Sequence, residues 1–263
     1  PYNPIPLLEL KPAESDALAP SQLVRKGRDL FAEARCIQCH TAPGGMPELA
    51  MDAPSFNAIG ARRNFGWLAR WIENPHALRA GTPMPQVFHG AEAKDNAAAV
   101  AAYLASLTGD VKFTASNGMV ENGQTLFERL HCVACHTPPG GGDARPHQIS
   151  QQQVNAKFAP GSLAAFLQRP EEHFAWIRMP NFKLTAPEAA DLAAYLQSVA
   201  EKAEPATAPA DAAILEKGRK LVATSGCLNC HALEGGKSEL TARPLADLAT
   251  WTAGCVADQP ADA

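Results

Sequence analysis

Val120-Glu-Asn-Gly-Gln-Thr-Leu-Phe-Glu-Arg-Leu-His-Cys-Val-Ala-Cys-His136 is the stretch that decides how this chain reads. Its second half, Cys132-Val-Ala-Cys135-His136, sets two thiols three positions apart with an imidazole directly after them. The same pattern stands at Cys36-Ile-Gln-Cys39-His40, 96 residues earlier, and at Cys227-Leu-Asn-Cys230-His231, 95 residues later. Cys-x-x-Cys-His is the attachment pattern of c-type haem. The thiols add across two vinyl groups, and the adjacent imidazole reaches the iron from one face. One copy can arise by chance, whereas three at near-constant spacing mark a unit copied twice.

The first half of the stretch is equally repetitive. Val24/Gly27/Leu30/Phe31, Val120/Gly123/Leu126/Phe127 and Leu215/Gly218/Leu221/Val222 share one spacing, with the glycine nine residues before the first cysteine each time. Apolar residues three and four apart predict a leader helix with one buried stripe. A glycine inside a helix costs about 1 kcal/mol relative to alanine. Its recurrence at a single offset predicts close contact with another helix of the same module, or reflects the shared ancestry of the copies.

Downstream of each motif a glycine- and proline-rich segment predicts turns: Thr41–Gly45, Thr137–Gly142 and Glu234–Gly236. Two units continue. Leu68, Ile72 and Pro75 align with Leu163, Leu167 and Pro170, predicting short amphipathic helices that stop at proline. Nine residues past each proline comes Met84-Pro85 or Met179-Pro180, and a closing helix follows through Tyr103-Leu104 or Tyr195-Leu196. Histidine and methionine are 44 residues apart in the first unit and 43 in the second.

The predicted fold is therefore all-α, with three tandem haem domains, the third incomplete. Residues 1–20, with five prolines, are expected as an extended arm. Residues 21–109 and 110–200 form domains 1 and 2, 201–211 a Pro/Ala-rich linker, and 212–263 a partial domain 3.

Composition narrows the function. The net charge is -4 and no basic stripe is interleaved with aromatics, which excludes a nucleic-acid partner. No stretch of 18 apolar residues spans a membrane. Six of seven cysteines belong to the motifs, so a disulfide framework is excluded. Structural zinc needs four closed ligands, and a histidine with a downstream methionine suits haem iron better. The chain begins at Pro1, and covalent haem implies export, so a removed signal or an excised segment of a larger exported protein is expected.

Units one and two resemble class I cytochrome c in leader helix, attachment motif, turn-rich loop, Met-Pro segment and closing helix. The resemblance implies a small helical fold around each of three covalent haem c groups, held by Cys36, Cys39, Cys132, Cys135, Cys227 and Cys230. It implies His40 with Met84, and His136 with Met179, as axial ligands, and His231 as the proximal ligand of the third haem. A methionine also serves as ordinary core packing, and Met46, Met51 and Met119 lack the repeated offset. A proline carbonyl often orients the proximal histidine in the family. Pro54, Pro146 and Pro244 are the candidates, and each also reads as a turn proline. His76, His89, His131, His147 and His173 have no repeated partner and default to surface or supporting roles.

The third unit lacks a methionine at the expected offset: no Met follows Met179. Continuation of the unit, a ligand from elsewhere and an open iron compete as explanations. Cys255, 24 residues past His231, reads as a distal thiolate, an intermolecular disulfide partner or an inert thiol.

The expected function is a multihaem carrier, not an enzyme, that passes single electrons between redox partner proteins outside the cytoplasm, most naturally in the periplasm. A dehydrogenase, fused or docked, is a natural donor. Three alternatives stand: a peroxidase-like enzyme or a ligand sensor with an open third haem, or the electron-transfer part of a larger oxidoreductase.

Overall fold

The computed structural model describes residues 12–33, 36, 53–115, 117–141, 148–174, 177–203 and 206–240, with backbone alone at 12–19 and 32–33. Its helices are α1 (Pro12–Glu33), α2 (Ile59–Arg62), α3 (Phe65–Glu73), α4 (Pro75–Leu78), α5 (Ala93–Ser106) and α6 (Val120–Arg129). They continue with α7 (Val154–Lys157), α8 (Ser162–Gln168), α9 (Pro170–His173), α10 (Ala186–Val199) and α11 (Ala212–Thr224). Two-residue strands β1 (His136–Thr137) and β2 (Ile149–Ser150) pair in parallel. Among the described residues the protein is mostly helical.

Local chemistry sets the helix ends. Thr185 and Glu188 form a capping box at the start of α10: Glu188 N–H donates to the Thr185 hydroxyl, and the Glu188 carboxylate accepts from Thr185 N–H. Asp211 accepts from the N–H groups of Ala213 and Ile214 and starts α11. Pro75 and Pro170, expected as stops, are also first residues of the next short helices, where their missing N–H leaves no bond unmade.

Two cores result. In the second module, chain order holds: α6 lies across α10, and Phe127, Val154, Phe158, Leu163, Leu167, Leu192 and Leu196 are buried together. In the first, Phe56, Ile59, Trp67, Leu68, Ile72, Val100 and Leu104 enclose Val222, which belongs to α11. The leader on α5 is thus the third leader.

The glycines show that the two crossings are equivalent. A Cβ on Gly123 would overlap the Asp191 carbonyl and the Tyr195 Cβ; one on Gly218 would overlap the Ala99 carbonyl and the Tyr103 Cβ. Gly27 of α1 meets nothing within 4 Å. On the same helix Leu23, Val24 and Leu30 are 70%, 72% and 53% exposed. Residues 212–240 complete the first core, because α11 has the same stripe as every leader and α5 offers the same groove. Residues 12–20, expected to be extended, are helical up to and past Pro20. Pro12 opens that helix, a position where a proline is tolerated.

The modules join through equivalent segments. Arg63 and Phe158, which occupy matching positions in the two repeats, form an antiparallel bridge. Asn64 N–H donates to the Lys157 carbonyl at 3.2 Å, and Ala159 N–H donates to the Arg62 carbonyl at 3.2 Å. The Asn64 side-chain amide spans the carbonyls of Asn155, Ala156 and Phe158 at 3.0–3.2 Å. Like pairing with like in opposite directions places a local two-fold axis at this junction.

Candidate haem sites

Each described attachment motif is a tight turn set at the end of its leader helix. Cys132–Ala134 and Cys227–Asn229 are single turns of 3₁₀ helix. The residue before the first cysteine is left-handed in both: His131 at φ 53° and Gly226 at φ 79°. That kink turns the chain off the helix axis and brings both cysteines to one side. Glycine reaches this conformation freely and histidine does so at some cost.

The histidines are pinned in the same way. His231 Nδ1 lies 2.7 Å from the Pro54 carbonyl, and its ring stacks on Phe56 with centroids 4.3 Å apart. Ala53 bridges His231 in parallel, and Ala53 N–H donates to the Cys230 carbonyl at 2.8 Å. His136 Nδ1 lies 3.3 Å from the Ile149 carbonyl, and Ile149 N–H donates to the Cys135 carbonyl at 3.0 Å. Only a protonated Nδ1 can donate to a carbonyl, so Nε2 carries the lone pair on each ring. Burial pushes both imidazoles below the usual histidine range, so both stay neutral, as a metal ligand must be. Lys157 and Arg79 add their positive field to that effect at His136.

The methionines lie in the same cores. Met84 packs on the first core, as do Cys227 and Leu228; Met179 packs on the second, as does Cys132. The Trp71 indole N–H donates to Met84 Sδ at 2.8 Å, and Trp71 stacks on Trp67 at 5.1 Å. Met119 is 60% exposed on the surface.

The donor set fits covalent haem. Each of the two described sites offers a pair of thiols and an imidazole whose Nε2 carries the lone pair, and its leading thiol packs with a thioether on the same apolar core. Burial raises both leading thiols above their ordinary value, Cys227 to about 11. They are neutral thiols, a poor start for a thiolate metal site. Among the described residues no three or more His, Cys, Asp or Glu side chains converge for a metal ion.

Cys39, His40, Pro146, Pro244 and Cys255 lie outside the described residues. Cys36 follows the leader α1, whose Gly27 meets nothing within 4 Å. Pro54, expected to serve the first unit, accepts from the histidine of the third. In the second unit the described carbonyl partner is that of Ile149. Any backbone carbonyl in register can take this role, so proline was a narrow signal for it. Missed from the sequence was a set of cations at the module junction: Arg62, Arg63, Arg79, Lys157 and His173. They come from four separate helices and share no motif.

Two helical modules, each with an attachment turn, a pinned imidazole and a thioether in its core, define a covalent-haem protein. The cytochrome c family model matches residues 24–108 and again 120–200. These spans cover more than half of the 263 residues, and the chain belongs to the cytochrome c family. No curated protein and no solved structure matches it. The first matched span runs in chain order, from α1 through the first motif to α5, whereas the structure seats α11 and the third motif on α5. Among the described residues no helix is long and apolar enough to cross a membrane.

Proposed function

We propose that this chain is a three-haem electron relay of an extracytoplasmic compartment, with Cys36/Cys39, Cys132/Cys135 and Cys227/Cys230 holding the cofactors. When bound, haem c supplies a one-electron couple. His136 and Met179 serve one iron. His231 and Met84 serve another, a pairing supported by the Pro54 bond, the Phe56 stack and the shared core. The observation that carries the function is the pairing of a pinned, neutral imidazole with a core thioether in two joined modules. Two occupied axial positions leave no coordination site for a substrate. A soft, uncharged sulfur favours the reduced state and raises the potential above that of a second imidazole. The partners are redox proteins, a dehydrogenase among them, and such contacts are small and transient.

A second pairing, His40 with Met84, is favoured by the family match that runs unbroken through both residues. Among the described residues two cores carry a methionine, and a third iron draws on neither. That iron is where ligand sensing or peroxidase-like chemistry would reside.

Intact mass and absorption spectra test this reading. Three added haem masses are expected. The weak far-red charge-transfer band of a sulfur–iron(III) bond is expected at two-thirds of the intensity for three such bonds. Rapid carbon monoxide binding to one reduced haem in three would mark the third iron as open, and its absence would mark that iron as ligated. A chain that carries no covalent haem, or three equal sulfur–iron bonds, would contradict the proposal.

A further inference from the structure

Among the described residues the junction between the modules gathers basic groups without an anion. Arg62 and Arg63 end the α2 segment, Arg79 follows α4, Lys157 ends α7 and His173 ends α9. Arg63 is 6% exposed. Among the described residues no carboxylate lies within ion-pair distance of any of them; the described pairs are Arg169–Glu172 and Arg219–Glu216, both on the surface. Cations taken out of water normally carry a paired anion.

Hydrogen bonding shows the same deficit. Arg62 Nη1 lies 2.8 Å from His173 Nδ1, and Arg63 Nη2 lies 2.7 Å from His173 Nε2. A neutral imidazole has one N–H and one lone pair, so one of these two guanidinium N–H groups meets a ring N–H instead of an acceptor, while the remaining bonds of both groups go to backbone carbonyls. The Lys157 ammonium lies over rings, 5.0 Å from the Trp67 centroid and 5.6 Å from that of Phe158. Burial lowers Arg62, and burial with the repulsion of neighbouring cations lowers Arg63 to about 9, Lys157 to about 7 and His173 to about 2. Among the described residues no side chain supplies a negatively charged acceptor to this cluster.

The cluster touches both sites. Arg62 Nη2 donates to the carbonyls of Ser55 (2.7 Å) and Asn57 (2.8 Å), on the loop whose Pro54 holds His231. Trp67, beneath Lys157, stacks on the Trp71 that bonds Met84. On the other side the charges of Lys157 and Arg79 act on His136. The antiparallel bridge of Arg63 and Phe158 runs between these two halves.

We infer that this junction is a carboxylate site shared by the two modules, in which Arg62, Arg63 and Lys157 hold the propionates of both haems. The inference rests on the haem reading above. A partner's acidic surface does not suit the site, because Arg63 is buried between the modules. A free phosphate has the right charge, and the experiment separates it from the haem edges.

Arg63→Gln, Lys157→Gln and the charge-retaining Arg63→Lys are made in the full haem-loaded protein. Haem content by mass reports on the haem reading by itself. Potentiometric titration and the propionate bending modes in resonance Raman report on the site. Removing a cation beside a haem favours its more positive, oxidised state. Both Gln variants should therefore keep full haem content, lower the midpoint potentials of two haems and leave the third unmoved. The propionate modes of the same two haems should shift, and Arg63→Lys should restore parental potentials. Unmoved potentials and modes at full haem content would overturn the inference. So would parental potentials that move as phosphate is raised at constant ionic strength, since the occupant would then be a free anion.

Discussion

Met84→Leu should remove one of the two sulfur–iron bands, leave the other intact and lower the potential of one haem by a few tenths of a volt. Axial ligands command a span of roughly 0.8 V, and loss of a thioether moves an iron down within it. Leucine is the informative replacement because it preserves volume and apolarity; such swaps usually cost less than about 1.5 kcal/mol. Met84 packs against the first core, and its sulfur accepts from the Trp71 indole. A residue that only packed there would lose that hydrogen bond, worth about 1 kcal/mol, and would leave the spectrum unchanged. Met179→Leu should do the same to the other iron. Met119→Leu, on an exposed side chain, should do neither.

Gly218→Ala should destabilise the protein by about 3 kcal/mol, the upper part of the range for forced overpacking. The new methyl would overlap backbone, the Ala99 carbonyl, with the Tyr103 Cβ close behind, so α11 must lift off α5. Gly123→Ala should cost as much through Asp191 and Tyr195. Gly27→Ala should behave in the opposite way. Nothing lies within 4 Å of the added atom, and exchanging a helical glycine for alanine stabilises by up to about 1 kcal/mol. Denaturant unfolding of the three holoproteins measures this directly. Equal losses at Gly27 and Gly218 would mean that α1 also uses a tight groove.

The contrast among these glycines shows what the sequence could and could not convey. Their common offset predicted a close helix contact, and Gly123 makes it within its own module. Gly218 makes the same contact with a helix more than a hundred residues earlier in the chain. Copied units carry interchangeable surfaces: every leader has the stripe, and every closing helix has the small-residue groove. Sequence order then suggests a pairing without enforcing one. The attachment turns were legible because their chemistry is local, two thiols and an imidazole within five residues. Met84 and Met179 were legible as candidates because one offset recurred. The cations of the junction were not, since Arg63, Lys157 and His173 lie far apart in sequence and each reads alone as an ordinary surface charge. Only the antiparallel meeting of the two repeats brings them together. Residues 12–20 misled for a related reason. Five prolines in the first twenty residues suggested extension, yet Pro12 sits where a helix can begin, and Pro20 is accommodated inside α1.

The central claim is that the Met84 core is completed by α11 and the third attachment turn. Ending the chain after Ala210 removes both and keeps everything that the family match spans. The far-red sulfur–iron band of this shortened holoprotein is the most direct test. The structure predicts that half of the parental band is lost and that only the Met179 iron keeps its sulfur. Full retention of the band, on a chain carrying two haems, would contradict it and assign Met84 to His40.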